Sequence, residues 1–318
     1  MNDAASIALS ILLQGLLLLA SAPLVSGVVR KTKALFQRRR GAGILQPYFD
    51  LAKLMRKEVV IPGASSWIFR VTPYIVFGST LVIAVLVPTV IVPVQLNFAG
   101  DIITVIYLFA LGRFFVALVG LDAGSAFGGL GASREMSIAS IVEPAMMLAI
   151  FTAAVTAGST NLSLIVTQLS SAPGAMMNPA HLLAFSGLFI VTLAETGRVP
   201  VDNPDTHLEL TMIHEAMILE YSGRYLAYIE WSSQMKLAIF LALLSNMFFP
   251  FGMATSAAPL PLLLGCAAFF SKVIALAVIV AVVESTNAKL RLFRVPDLLM
   301  VAFILSLLAL ILYFIIGA

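Results

Sequence analysis

The sequence predicts an all-α integral membrane protein, a bundle of about eight transmembrane helices with one amphipathic helix at the membrane interface. Of its 318 residues, 60% are hydrophobic and only 11% are charged. A soluble domain carries roughly 25% charged residues, so much of this surface must face lipid. Apolar runs near the roughly 20 residues that one bilayer span needs recur along the chain.

Eight apolar runs are the predicted spans. They cover Ile7–Val28, Thr72–Val94, Ile102–Gly120, Met136–Ala157, His181–Leu193, Tyr225–Pro250, Pro259–Val283 and Leu298–Ile316. The first is too long for the apolar core of a signal peptide, so we interpret it as a membrane helix. The fifth is short and is expected to extend backwards or tilt. With no internal repeat or separate soluble region, residues 1–318 form one predicted membrane domain.

Basic residues concentrate in alternate loops, and this pattern predicts the topology. The first such loop, about residues 29–70, is strongly basic, and the loops around Arg134, Arg198 and Lys289 continue the series. Cytoplasmic loops carry an excess of Lys and Arg, so both termini are expected on the non-cytoplasmic side. The basic residues therefore serve the topology, and nucleic acid is not an expected partner.

A short helix is predicted within the first cytoplasmic loop, beginning near Tyr48. Its apolar positions are Leu51, Ala52 and Met55, and its charged positions are Asp50, Lys53 and Lys57. Such a helix lies in the interface plane with its basic side chains toward headgroups or a partner protein. A lipid-surface helix and a partner-docking helix remain alternatives at this point.

Ionisable residues inside the apolar runs are the strongest functional signal. A charge at the bilayer centre costs about 2.5–3.5 kcal/mol on insertion scales and normally faces protein or water. Four such residues are Arg113, Glu143, Glu195 and Lys272. Glu143 lies eight residues after Glu135, so both project from nearly one helix face. We interpret Glu143 as a proton-exchanging carboxyl; the alternative is that it pairs with Arg113 or Lys272.

An acidic cytoplasmic segment, about residues 195–224, follows the fifth span. Its acids include Glu195, Asp202, Asp205, Glu209, Glu215 and Glu220. Carboxyl and histidine chains of this kind relay protons in membrane proteins; a solvated acidic loop is the alternative. His207 and His214 lie two helical turns apart, about 10 Å, so we expect no metal site there. The lone Cys266 leaves no thiolate cage.

Several motifs together resemble the family of complex I membrane subunits designated H or 1, and more closely the related membrane subunits of group 4 NiFe hydrogenases, including formate hydrogenlyase and hydrogenase-4. The motifs are Arg39–Gly43, Gly120–Ser125, Gly131–Glu135, the loop from Glu195 to Asp202, and Glu220–Gly223. The quinone-reducing members carry a different acidic loop. Here Val201 replaces a phenylalanine and His207 replaces an acid, and the Lys289–Asp297 loop is similar to hydrogenase-type relatives.

The resemblance implies a non-catalytic subunit that joins a peripheral redox arm to the ion-translocating arm in a bacterial or archaeal cytoplasmic membrane. The predicted proton-coupling residues are Glu135, Glu143, Glu195, Asp202, Asp205, Glu209, Glu215, Glu220 and Lys272. The predicted partner-docking residues are Arg38, Arg39, Arg40, Arg134, Arg198 and His207. The expected partners are hydrogenase-like large and small subunits, an Fe–S subunit and antiporter-like membrane subunits.

Three functions remain open on the sequence alone. The first is a membrane-anchor and proton-coupling subunit of a hydrogenase-type complex, whose NiFe centre and Fe–S clusters belong to the partner subunits, with no cofactor bound by this chain. The second is the quinone-chamber subunit of a donor–quinone oxidoreductase. The third is a structural anchor that moves no ions. A self-contained transporter is disfavoured because internal repeats, which many transporters carry, are absent.

Overall fold

The computed structural model describes residues 2–91, 101–171, 178–203, 212–254 and 258–316, with side chains from Leu12 onward. Helices account for most of this part of the chain. Their bounds are α1 (Asn2–Phe36), α2 (Gln46–Arg56), α3 (Trp67–Leu86), α4 (Ile102–Asp122), α5 (Ala126–Ala157), α6 (Leu162–Ser171), α7 (Pro179–Glu195), α8 (His214–Ile218), α9 (Gly223–Phe248), α10 (Pro259–Thr286) and α11 (Val295–Ile316). A 3-10 turn at Leu292–Arg294 leads into α11.

Six of the described helices are long and apolar enough to cross a membrane: α1, α3, α4, α5, α10 and α11. The predicted fold class, an all-α integral membrane protein, is confirmed. The count of eight spans stays a prediction. Helices α7 and α9 coincide with the two remaining apolar runs, but α7 has 17 residues and α9 carries several polar side chains.

Helix α9 lies at the centre of the bundle. Every residue from Leu237 to Phe248 is buried, and the helix packs against α1, α3, α7 and α10. A helix that is apolar on all sides over three turns belongs in a core and not on a lipid-facing surface. The polar side chains Gln234, Lys236 and Asn246 therefore face other parts of the protein, where they can find partners.

Helix α5 begins ten residues before the predicted start at Met136, so that boundary was wrong. Ser125 caps the helix by accepting a hydrogen bond from the Gly128 amide at 3.1 Å. Two glycines in the first turns of α5 are required by close packing. A Cβ at Gly128 would lie 2.1 Å from the Gly120 carbonyl, and one at Gly131 would lie 2.8 Å from the Ala216 Cβ. Glu135 is thus well inside α5.

The helix predicted near Tyr48, after the first span, is confirmed as α2. Leu51 is buried, whereas Phe49 on the opposite side is 64% exposed. The Tyr48 hydroxyl donates to the Ala20 carbonyl of α1 and fixes α2 to the bundle. Helix α6 was not predicted; Asn161 begins it by accepting a hydrogen bond from the Ser163 amide at 3.0 Å.

Candidate functional site

Arg113 of α4 is the centre of the candidate site. Its side chain is 4% exposed and contacts three carboxylates. The Nε atom lies 3.4 Å from Glu135 Oε1, and the two terminal nitrogens bond Glu143 and Glu195. A guanidinium presents five N–H donors in a planar fork, so one arginine can serve acids from α5 and α7 together. The pairing of Glu143 with Arg113, the alternative that the sequence left open, is what the structure shows.

Lys236 of α9 adds a second cation to this group. Its Nζ lies 2.6 Å from Glu195 Oε2, so the Glu195 side chain, only 2% exposed, is held between two cations. We call Arg113, Glu135, Glu143, Glu195 and Lys236 the Arg113 cluster. Burying a charge is tolerated only when it is paired and hydrogen-bonded. The cluster pairs each of its charges and joins α4, α5, α7 and α9, while Arg113 Nε and Glu135 Oε2 make no hydrogen bond among the described residues.

His214, the first residue of α8, connects the Arg113 cluster to the loops that follow α7 and α10. Its Nε2 lies 3.3 Å from Glu135 Oε2 and its Nδ1 lies 3.4 Å from Asp202 Oδ2. Burial alone would lower the pKa of His214. The charge of Glu135 and the hydrogen bond and charge of Asp202 outweigh that effect, so the pKa is raised above its ordinary value. Carboxylates at both ring nitrogens favour the doubly protonated imidazolium.

Asp202 continues the line of charges beyond His214. Its Oδ1 lies 2.7 Å from Lys289 Nζ, which comes from the loop between α10 and α11. Burial raises the pKa of Asp202, but hydrogen bonds and charge from His214 and Lys289 outweigh it and hold the pKa well below its usual range. Asp202 is therefore a carboxylate at neutral pH. An unbroken series of ion pairs runs from Glu143 through Arg113, Glu135 and His214 to Lys289.

A second ion-paired group lies at the C-terminal end of α10. The Glu284 side chain, 3% exposed, accepts a hydrogen bond from Arg198 Nη1 at 2.9 Å and lies 3.4 Å from Lys33 Nζ. Arg198 was predicted to dock a partner, but this contact turns its guanidinium inward. The Glu284 group joins three elements to one another: α1, α10 and the segment that follows α7.

Both groups border one large cavity of about 690 Å³. Its walls come from α1, α3, α4, α8, α9 and the segments that follow α1 and α7. The charged residues that line it are Arg30, Lys33, Arg39, Arg113, Glu135, Glu195, Arg198, Asp202, Glu215, Glu230, Lys236 and Glu284, together with His214. Apolar side chains, among them Val76, Leu108 and Phe109, complete the lining.

Glu215 lies beside His214 on the cavity wall and has a perturbed acidity. Burial, and then the charge of Glu230, raises the pKa of Glu215 to about 7, although the positive charge of His214 partly opposes the rise. A carboxyl with a pKa near the working pH can both take up and release a proton. Glu215 is thus a candidate for proton exchange at the cavity.

Replacing Glu215 by glutamine should flatten the pH dependence of stability. A carboxyl whose folded pKa is raised stabilises the folded state most below its ordinary pKa, and that stability declines as the pH rises toward about 7. Above pH 7 the variant should be more stable than the unmodified protein, by about 1–2 kcal/mol after allowance for solvent screening. Thermal unfolding between pH 5 and pH 8.5 measures the difference. Glu58→Gln, at an exposed position, is the control, and an unchanged slope in Glu215→Gln contradicts the assignment.

The structure brings some predicted residues together and leaves others apart. Glu135, Glu195, Asp202 and Glu215 line the cavity, and Glu143 joins them through its contact with Arg113. Glu220 is exposed at the surface, and Lys272 contacts the C-terminal end of α9, away from this site. Asp205, His207 and Glu209 lie outside the described residues.

Among the predicted docking residues, Arg38, Arg39 and Arg40 are exposed, and Arg39 also borders the cavity. Arg134 instead donates to the Met212 carbonyl at 2.8 Å and so supports the entry into α8. Sequence reasoning missed Lys236, Glu284 and the bridging position of His214. Lys236 lies inside the sixth predicted span, so the search for charges within apolar runs could have found it.

Comparison with known proteins places this arrangement among respiratory membrane subunits. The family model described as NADH dehydrogenase matches residues 8–315. Formate hydrogenlyase subunit 4 of Escherichia coli (strain K12) is 38% identical over 90% of this chain and 92% of its own length. Hydrogenase-4 component C of the same organism is 35% identical over 94% of this chain and 93% of its own length.

Two further similarities extend the comparison. A matching subunit of the NADH-quinone oxidoreductase of Chlorobaculum parvum is 33% identical over 74% of this chain and 70% of its own length. Among solved structures, a chain of the membrane-bound sulfane sulfur reductase, an archaeal respiratory membrane complex, matches with a TM-score of 0.80. That match covers 94% of this chain and 99% of the other at 22% identity, so it shows a shared fold.

Proposed function

The chain belongs to the NADH dehydrogenase family, and from this premise we propose that it is the membrane-anchor and proton-coupling subunit of a complex-I-like oxidoreductase of the group 4 NiFe hydrogenase type. It is a multi-pass membrane protein whose relatives are subunits of multisubunit complexes. The greater coverage by the formate hydrogenlyase and hydrogenase-4 subunits, compared with the NADH-quinone oxidoreductase subunit, supports the hydrogenase branch.

The observation that carries the proposal is the continuous series of charged groups between the cavity and Glu143. Glu215 and Glu230 lie on the cavity wall, His214 is adjacent, and Glu135 lies between His214 and Arg113. From His214 inward, each neighbour lies within ion-pair distance of the next. The acids and His214 can hold a proton, whereas Arg113 is a fixed cation that couples the charges of the carboxylates around it.

The proton enters through Glu215, whose raised pKa suits it to exchange with cavity water at neutral pH. His214, protonated on both ring nitrogens, gives its Nε2 proton to Glu135, whose Oε2 lies 3.3 Å away, and is then reprotonated from the cavity side. Arg113 holds Glu135, Glu143 and Glu195 on one guanidinium. A change of charge on one of these carboxylates therefore alters the electrostatic energy of the other two.

Glu143 is the exit of this path. Its side chain is 37% exposed, whereas the Glu135 side chain is 6% exposed. The neighbouring exposed positions on α5 include Ser137 and Ser140. Small polar residues on a membrane-facing helix favour contact with another helix over contact with lipid. An antiporter-like membrane subunit of the same complex is the partner that this surface suits.

A basic surface formed by α2 and the segment before it suits the peripheral arm. Helix α2 presents exposed Lys53 and Arg56, and the preceding segment presents the exposed side chains of Arg38 and Arg40. With these residues facing the cytoplasm, both termini lie on the other side of the bacterial or archaeal inner membrane. The hydrogenase-like large and small subunits and an Fe–S subunit dock here and hold the NiFe centre and Fe–S clusters.

Replacing Glu143 by glutamine tests the coupling role. In the assembled complex, oxidation of the electron donor should continue, but the proton gradient formed per electron should fall at least about tenfold, because one proton-holding group is lost. Donor oxidation and acidification are measured together in inverted membrane vesicles. Glu58→Gln, at an exposed position, is the matched control. Full coupling in Glu143→Gln would instead favour the structural anchor.

A quinone-chamber subunit is the second candidate, and the cavity is the observation that favours it. A volume of about 690 Å³ falls within the range of small-molecule sites. Binding of a ubiquinone or menaquinone analogue to the purified complex, with loss of donor oxidation on adding a quinone-site inhibitor, would select this function. Hydrogen evolution that such an inhibitor leaves unchanged would select the first.

A further inference from the structure

A second polar group lies at the C-terminal end of α9. Asn246 follows Lys236 by ten residues, about 15 Å along the helix axis, so this group is separate from the Arg113 cluster. Asn246 is 1% exposed. Its amide nitrogen donates to the carbonyls of Pro88 and Thr89, each at 2.9 Å. It thereby joins the end of α9 to the chain that follows α3.

The two helices end beside each other and continue as non-helical chain. Helix α3 ends at Leu86 and α9 ends at Phe248. The Ala254 amide then donates to the Val90 carbonyl at 2.9 Å. Gln14 of α1 accepts from the Thr89 amide at 2.8 Å. Irregular backbone at membrane depth is tolerated only where protein satisfies its polar groups, and these contacts do so here.

Lys272 of α10 reaches into this junction. It lies 12 residues before Glu284, about 18 Å along the helix, which is well within a hydrocarbon core of about 30 Å. Its Nζ donates to Asn246 Oδ1 at 2.9 Å, to the Phe249 carbonyl at 3.0 Å and to the Phe251 carbonyl at 3.1 Å. An ammonium has three donors, and each one has an acceptor.

The partners of Lys272 are neutral oxygens. In the described part of the chain, no acidic side chain pairs with it. The Phe251 ring lies with its centroid 5.2 Å from Nζ and adds a cation–π contact. Carbonyl oxygens at unwound helix ends coordinate cations in discontinuous membrane helices. The three oxygens are therefore placed to accept the three N–H groups of an ammonium ion. Binding at this position does not require an opposing charge.

We propose that Asn246 Oδ1 and the carbonyls of Phe249 and Phe251 form an ammonium-binding site, with the Lys272 ammonium as its tethered occupant. The occupied site locks the end of α9 to α10. Because α9 also carries Lys236 and Glu230, the lock fixes the register of α9 at the cavity. Lys272 is then a positioning residue and not a step in the proton path. This inference stands whichever partner complex the chain enters.

Replacing Lys272 by alanine in the full-length chain, assembled in its membrane complex, opens the site to free ammonium ions. The thermal midpoint should fall by at least about 3 °C, since charge-assisted hydrogen bonds are lost. High concentrations of methylammonium should restore most of that loss, whereas tetramethylammonium, which has no N–H donor, should not. The unmodified protein should respond equally to the two salts.

Two further variants complete the experiment. Lys53→Ala, at an exposed position on α2, is the matched control and should show no selective rescue. Asn246→Leu removes one acceptor while Lys272 stays in place, so its midpoint should fall and methylammonium should not restore it. An unchanged midpoint in either Lys272→Ala or Asn246→Leu overturns the proposal. Equal rescue of Lys272→Ala by both salts overturns it as well.

Discussion

Replacing Arg113 by methionine should destabilise the folded chain by about 3–5 kcal/mol, the cost of leaving buried charges without their partner. Glu135, Glu143 and Glu195 all lose a contact at once. Lys236 compensates only Glu195. His214 still lies beside Glu135, so Glu143 is the acid that must take up a proton or draw water into the bundle. The thermal midpoint of the purified chain and the amount of assembled complex in membranes both measure the loss.

Two further variants distinguish charge from packing. Arg113→Lys keeps the positive charge but presents a compact ammonium that cannot bond three carboxylates in a planar fork, so an intermediate loss is expected. In Arg113→Met combined with Glu135→Gln, one negative charge is removed with the positive one. The double variant should be less destabilised than the sum of the two single variants, because neighbouring charges couple. Additive losses would show that the cluster is not one electrostatic unit.

The helical architecture was largely predictable because lipid imposes a strong pattern on sequence. Each predicted span overlaps a helix in the described residues, although the second was drawn to Val94 and α3 ends at Leu86. The helix predicted after the first span begins within two residues of Tyr48. Boundaries were less predictable. Helix α5 starts at Ala126 because Gly128 and Gly131 face neighbouring backbone. A close approach of this kind depends on tertiary packing, which local helix propensity does not reveal.

The site was predictable as a set of residues but not as a set of contacts. The spacing of Glu135 and Glu143 predicted a shared face, and both side chains reach Arg113. Hydropathy also marked Lys272 as an ion in an apolar run. It could not show that Lys272 binds neutral oxygens at the end of α9, because the partners of a charge depend on which helices are neighbours.

The inward-facing side chain of Arg198 is a second contact that the sequence could not predict. A basic residue in a cytoplasmic segment is ordinarily solvated, and no local pattern pairs it with Glu284, which lies 86 residues later. The pair forms because the end of α10 returns to the segment that follows α7. Ionic residues near helix ends therefore remain ambiguous until the packing of the bundle is known.

The net charge of the series of ion pairs depends on whether His214 is protonated. The series that runs from Glu143 to Lys289 contains four carboxylates and, when the imidazole is protonated, four cations. The carboxylates are Glu135, Glu143, Glu195 and Asp202, and the cations are Arg113, Lys236, Lys289 and protonated His214. Loss of the imidazole proton leaves a net charge of −1. His214 is the member whose ordinary pKa lies nearest neutrality, so its protonation state sets the charge of the whole series.

Replacing His214 by phenylalanine should therefore destabilise the chain most at low pH. The charges of Glu135 and Asp202 raise the pKa of His214 against the opposing effect of burial. A base whose folded pKa is raised contributes its full stability below the ordinary value of about 6.5, and loses it as the pH rises through the folded value. The deficit should be about 2–4 kcal/mol at pH 6 and should shrink toward pH 9. Thermal unfolding across that range measures it, with His214→Gln, which keeps an N–H donor without the charge, as the control. A deficit that stays constant with pH would show that the imidazole is neutral in the folded protein, and the proton path through Glu135 would then lack its basic member.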